Sequence, residues 1–106
     1  MYVLVVLRAG ERATDEPLHA VAHERFIDSL IERNLVLLGG GFAEPIDDSV
    51  AAYVLRCGTV DEARGLVESD PYVANGVVQP ELAQWELVGI NPAAIDAGPV
   101  VRPEDV

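Results

Sequence analysis

LVLLGGGFAEPIDDSVAAYVLRC, residues 35–57, holds two apolar runs rich in valine and leucine, joined by a polar segment with no helical period. LVLLGGGF (35–42) reads as a strand running into glycines, AEPIDDS (43–49) as a loop, and VAAYVLRC (50–57) as a further strand. Two successive strands in mid-chain decide the fold once their flanks are read. Upstream, YVLVVLR (2–8) is a buried strand. AGERATDEP (9–17), with Gly10 and Pro17, is a loop in which Thr14 or Asp15 can cap a helix. From Leu18 to about Arg33 the apolar residues Leu18, Ala22, Phe26 and Leu30 recur at helical spacing, flanked by Ile27 and Ile31, and Arg33-Asn34 suits a helix C-terminus. Downstream, Thr59 followed three residues later by Glu62 is a capping-box pattern opening VDEARGLVES, whose Val60, Ala63, Leu66 and Val67 lie on one side. Asp70-Pro71 breaks that helix, and PYVANG reads as a short turn or helical turn closed by Gly76. The last strand spans about Val77 to Val88. Pro80 weakens its start, leaving Leu82 to Val88 as the better-formed part, with Ala83, Trp85 and Leu87 on one face.

The order is therefore β-α-β-β-α-β. It predicts an α+β, ferredoxin-like domain over residues 1–89: a four-stranded antiparallel sheet with both helices on one face. The other face still carries apolar residues, and a second copy of the chain is its simplest cover, which predicts a homodimer or higher homo-oligomer of the dimeric α+β barrel type. Residues 90–106 contain three prolines and no period, and are expected to form an irregular tail.

Composition narrows the function. The chain has 106 residues, 50% hydrophobic, enough for one core. With 18 acidic and 7 basic side chains its net charge is −11, which disfavours phosphate backbones and anionic lipid, so neither nucleic acid nor membrane is an expected partner. No run reaches the roughly 18–20 apolar residues of a membrane span, and the start lacks the basic region and cleavage site of a signal peptide, so the expected location is cytoplasmic. Cys57, the single cysteine, excludes an internal disulfide and reads as packing within an apolar run.

The residues that can carry chemistry are few. His19 and His23 lie four apart on the first helix, toward its apolar stripe. Two histidines without a third ligand make a poor metal site, and the H-E-x-x-H pattern is absent, so no metal is expected. Asp70 sits at the rigid Ser69-Asp70-Pro71-Tyr72 corner, on the same side of the sheet as His23 in this topology. An aspartate against an imidazole fixes its tautomer and prepares it as a general base. Tyr72 is a candidate donor or wall, Arg8 a candidate holder of an anionic group, and Ser69 a nucleophile by type alone. Gly39-Gly40-Gly41 lacks the phosphate-loop lysine and reads as a bend.

Taken in order, Ala22-His23-x-x-Phe26 followed by LVLLGG, then ESDPYVANGV and a late strand with Trp85, resemble the YciI-like (YCII-related) family over roughly residues 2–88. The resemblance implies a ferredoxin-like fold, dimerisation through the open sheet faces, and a pocket with a histidine–aspartate pair falling on His23 and Asp70. Where the family often places an arginine shortly before the histidine, this chain has Leu18-His19-Ala20-Val21-Ala22, and His19 is the polar residue available there. Two functions fit. One is a cofactor-independent lyase or isomerase in which His23 and Asp70 move a proton on a small, cyclic or carbonyl-bearing molecule. The other is a non-catalytic dimeric module that binds a small ligand.

Overall fold

Along Tyr2–Ala9 (β1) burial alternates: Val3, Val5 and Leu7 are buried, while Tyr2, Leu4, Val6 and Arg8 are only partly covered. That two-residue period is the pleat of a strand with one face on the core. The structure, a computed structural model, describes residues 1–100. After β1 come a 3-10 turn (Ala13–Asp15), α1 (Glu16–Glu32), β2 (Val36–Ile46), β3 (Ser49–Arg56), α2 (Val60–Glu68), a single turn of helix α3 (Pro71–Ala74) and β4 (Val78–Trp85). The four strands form one antiparallel sheet in the order β2-β3-β1-β4. Leu30 of α1 and Ala63 and Val67 of α2 join Val3, Val5, Leu7, Tyr53 and Leu55 in one buried cluster, so both helices cover the same face. This is the ferredoxin-like βαββαβ fold read from the sequence.

Local chemistry sets the boundaries. Thr59 accepts the Glu62 N–H at 3.1 Å, and the Glu62 carboxylate accepts the Gly58 N–H at 3.0 Å, so two free donors at the start of α2 are satisfied. At the end of α1, Asn34 takes φ 57, and the N–H groups of Asn34 and Leu35 bond the carbonyls of Ile31 and Leu30, a Schellman closure. The end of β1 crosses the Gly76-Val77 backbone so closely that a Cβ on Gly10 would lie 2.3 Å from the Gly76 carbonyl oxygen.

Four expectations are corrected. The glycines Gly39–Gly41 do not bend: they pair with Tyr53, Ala52 and Ala51 inside β2. The loop expected over residues 43–49 is mostly strand, because a two-residue turn suffices once Asp47 adopts φ 55. The last strand is best formed where Pro80 was expected to weaken it. Proline is tolerated on this edge strand opposite Leu7, and pairing ends at Trp85 because Tyr2 opposite begins β1, leaving Leu87 and Val88 outside the strand. Leu18 and Ala22 do not join the inward stripe of α1. Leu18 is 78% exposed and Ala22 is exposed, because on this half of the helix the side that meets α3 is carried by Glu16 and His23, which contact Tyr72. Beyond Trp85, residues 86–100 are irregular apart from a 3-10 turn at Pro92–Ala94, and the remainder of the tail expected over 90–106 lies outside the described residues.

Candidate active site

α2 stops at Ser69 because Pro71 follows, and the corner between them is Asp70, whose extended backbone (φ −62, ψ 125) makes it the N-cap of α3. Its side chain is fully buried, the sole buried charged or polar residue among those described. A buried carboxylate needs partners. Oδ1 accepts the Tyr72 backbone N–H at 2.9 Å and lies 2.8 Å from Nδ1 of His23. The structure thus brings together two residues separated by most of the split βαβ unit.

The imidazole is held on two sides. Asp70 takes its edge, and the Tyr72 ring lies against its face, with centroids 3.9 Å apart and planes 8° from parallel. Tyr72 is tied in turn, its hydroxyl donating to Oε1 of Glu16 at 2.6 Å. Burial and that hydrogen bond push the Tyr72 phenol well above its ordinary pKa, so it stays protonated. With Nδ1–H donated to the carboxylate, a neutral His23 keeps Nε2 as its acceptor.

His23 and Tyr72 line a cleft of about 810 Å³ between α1 and the β2–β3 end of the sheet. That volume lies in the range of small-molecule sites, roughly 300–1,000 Å³. Ile27 and Ile31 come from the helix, and Gly39, Gly41, Val50 and Ala51 from the strands. The alternation running through Val5↔Tyr53 and Leu7↔Ala51 puts Tyr53 and Ala51 on the helix-covered face, with Gly39 and Gly41 paired beside them. Tyr53 also lines the cleft, 95% of its surface covered; its hydroxyl and Oδ2 of Asp70 are the two buried side-chain atoms without a hydrogen-bond partner among the described residues. Burial first, then the Asp70 charge, raises the Tyr53 pKa.

Other expected site residues lie elsewhere. Arg8 is corrected: its guanidinium is on the opposite sheet face, bidentate to Asp48 at 2.9 Å and bonded to Glu81 at 2.6 Å. Those two carboxylates raise the pKa of Arg8, the guanidinium in turn lowers that of Asp48, and the carboxylates occupy the fork that an anionic ligand would need. Ser69 is exposed and its hydroxyl donates to the Gly65 carbonyl at 3.2 Å, a bond back to the last turn of α2. His19 does not line the cleft. Among the described residues no cluster of three His, Cys, Asp or Glu side chains is arranged to hold a metal, and no helix is long and apolar enough to cross a membrane. Two further residues line this cleft, Tyr53 and Glu16. Tyr53 was legible as an inward position of VAAYVLRC, whereas nothing linked Glu16 to Tyr72.

No family model matches the chain. It is similar to the uncharacterized protein YjpA of Bacillus subtilis (strain 168), 28% identical over 86 residues, covering 81% of this chain and 94% of YjpA. Its fold is shared with 5-chloro-2-hydroxyhydroquinone dehydrochlorinase (TftG) from Burkholderia phenoliruptrix AC1100, solved in complex with 2,5-dihydroxybenzoquinone. That likeness has a TM-score of 0.66 at 18% identity, covering 81% of this chain and 94% of the other. Both likenesses are consistent with the YciI-like resemblance.

Proposed function

We propose that the chain is a YciI-like enzyme of lyase or isomerase type, in which His23 moves a proton on a small ring bearing oxygen substituents and Asp70 holds the imidazole. The observation that carries this reading is the 2.8 Å His23–Asp70 contact beside an apolar, ligand-sized cleft. Elimination or isomerisation next to a carbonyl needs a base for one proton and a place for the ring, without an external oxidant. The shared fold supports a ring substrate, since TftG is named for dehydrochlorination of a hydroxyhydroquinone and was solved with a dihydroxybenzoquinone. The direct test incubates purified protein with 5-chloro-2-hydroxyhydroquinone and with 2,5-dihydroxybenzoquinone, following chloride release and binding by calorimetry. Turnover or binding that His23→Ala loses supports the reading. Wild-type protein that neither turns over the first nor binds the second overturns this substrate class.

One observation favours the non-catalytic alternative. Asp70 already has a structural task, capping α3 through the Tyr72 N–H, so the pair also serves to stiffen a binding wall. Under either reading we propose residues 1–89 as the working domain, in the cytoplasm. We also propose that a second copy covers the open sheet face, where Tyr2, Leu4, Val6, Ala83 and Trp85 stand together.

A further inference from the structure

Three consecutive glycines sit inside β2, at Gly39, Gly40 and Gly41. Glycine in a strand weakens it, since it packs nothing, and it often marks the close approach of a ligand or another backbone. Gly39 is explained within the chain, because a Cβ there would lie 2.4 Å from Cβ of Tyr53. Gly41 is not. Its φ lies outside the left-handed region, and the nearest heavy atom to a Cβ built on it is the Val50 carbonyl oxygen at 3.9 Å, an ordinary contact. Neither backbone nor packing requires glycine at this position. A side chain there would project beside Ala51 on the helix-covered face, into the cleft that both residues line.

We propose that Gly41 is a specificity-determining residue, its bare backbone keeping the cleft floor flat so that a planar ring lies face-on against β2, opposite Ile27 and Ile31. The inference rests on the ligand-site reading above and deepens it. It assigns the ligand a flat body with at least one apolar face, because the surfaces that would contact that body are peptide planes on one side and aliphatic side chains on the other.

The test uses the full chain with two probes, 2,5-dihydroxybenzoquinone (one ring) and 2-hydroxy-1,4-naphthoquinone (two fused rings), titrated by calorimetry. Gly41→Leu fills the floor, Gly41→Ala fills it slightly, and Gly65→Ala, in α2 with open space around it, controls for loss of a glycine. Wild type and Gly65→Ala should bind both probes equally well. Gly41→Leu should weaken binding by about tenfold or more, the two-ring probe more than the one-ring probe, while its far-ultraviolet circular dichroism is unchanged. If Gly41→Leu does not fold, Gly41→Ala should show the same order of loss between probes at reduced size. Gly41 variants that fold and bind both probes as wild type does would overturn this assignment alone, provided His23→Ala loses binding. Wild-type protein that binds neither probe would overturn the ring-ligand reading and this inference with it.

Discussion

Asp70 performs two tasks through one oxygen, and two substitutions separate them. Asp70→Asn keeps an acceptor at Oδ1 and remains a good N-cap, so the Tyr72 N–H bond and the α3 turn should survive at a cost of about 1 kcal/mol. It loses the charge that selects the Nδ1–H tautomer of His23. Asp70→Ala loses both tasks. A cap removed costs about 0.5–2 kcal/mol and a charge-assisted hydrogen bond about 1.5–3 kcal/mol, together about 2–5 kcal/mol, a large fraction of a small domain's stability. Turnover should fall by about 10²–10⁴-fold in both variants, the range expected when a general base is lost or misdirected. Urea midpoints give the stability arm and initial rates on the ring substrates the activity arm. His23→Ala combined with Asp70→Asn should cost little more turnover than either change alone, because the two act as a unit. An Asp70→Asn protein that folds and keeps activity within about threefold would refute the reasoning, leaving Asp70 a cap and nothing more.

Tyr53→Phe removes a buried hydroxyl without a partner among the described residues, and should leave stability at neutral pH unchanged or raise it by about 1 kcal/mol, read from urea unfolding. The same change should alter the alkaline limb. The folded-state pKa of Tyr53 is raised, so its contribution is intact below the ordinary phenol value of about 10 and is lost as pH climbs through the higher folded value. Unfolding midpoints above pH 10 should therefore fall less in Tyr53→Phe than in wild type. Gly39→Ala forces a Cβ to 2.4 Å from Tyr53 Cβ and should destabilise by about 1–3 kcal/mol, whereas Gly65→Ala should not. Wild-type protein should sediment at a multiple of 11.4 kDa, and Leu4→Arg on the open face should shift it to the monomer.

Much of this architecture is legible in the residues. Thr59, Glu62, Ala63 and Val67 announce α2, and the capping box and buried side lie where the periodicity puts them. The Asp-Pro corner and the inward side of α1 placed Asp70 and His23 on one side of the sheet, though only coordinates give a distance. The misreadings share a cause: local patterns do not say which neighbour an element will have. Leu18 continues the stripe of α1, but the side of that helix half which meets α3 is carried by Glu16 and His23, so Leu18 stays exposed. Gly39–Gly41 look like a bend until β3 is placed alongside. Arg8, ending a strand, could equally face ligand or acid until Asp48 and Glu81 meet it.

The strand order bears on how the chain is made. β1 is central, bonded to β3 on one side and to β4 on the other, with Tyr2 facing Trp85 across the latter pair. A ribosome delivers β1 first and β4 last, so Val3, Val5 and Leu7 wait beside an unpaired edge until residues 78–85 emerge. Contacts this distant in sequence are slow to close, and an apolar strand with a free edge is a template for pairing with another chain. A nascent or truncated chain ending before Val78 would carry that edge permanently and should be recovered as aggregate, even though α1, α2, β2 and β3 are all present in it.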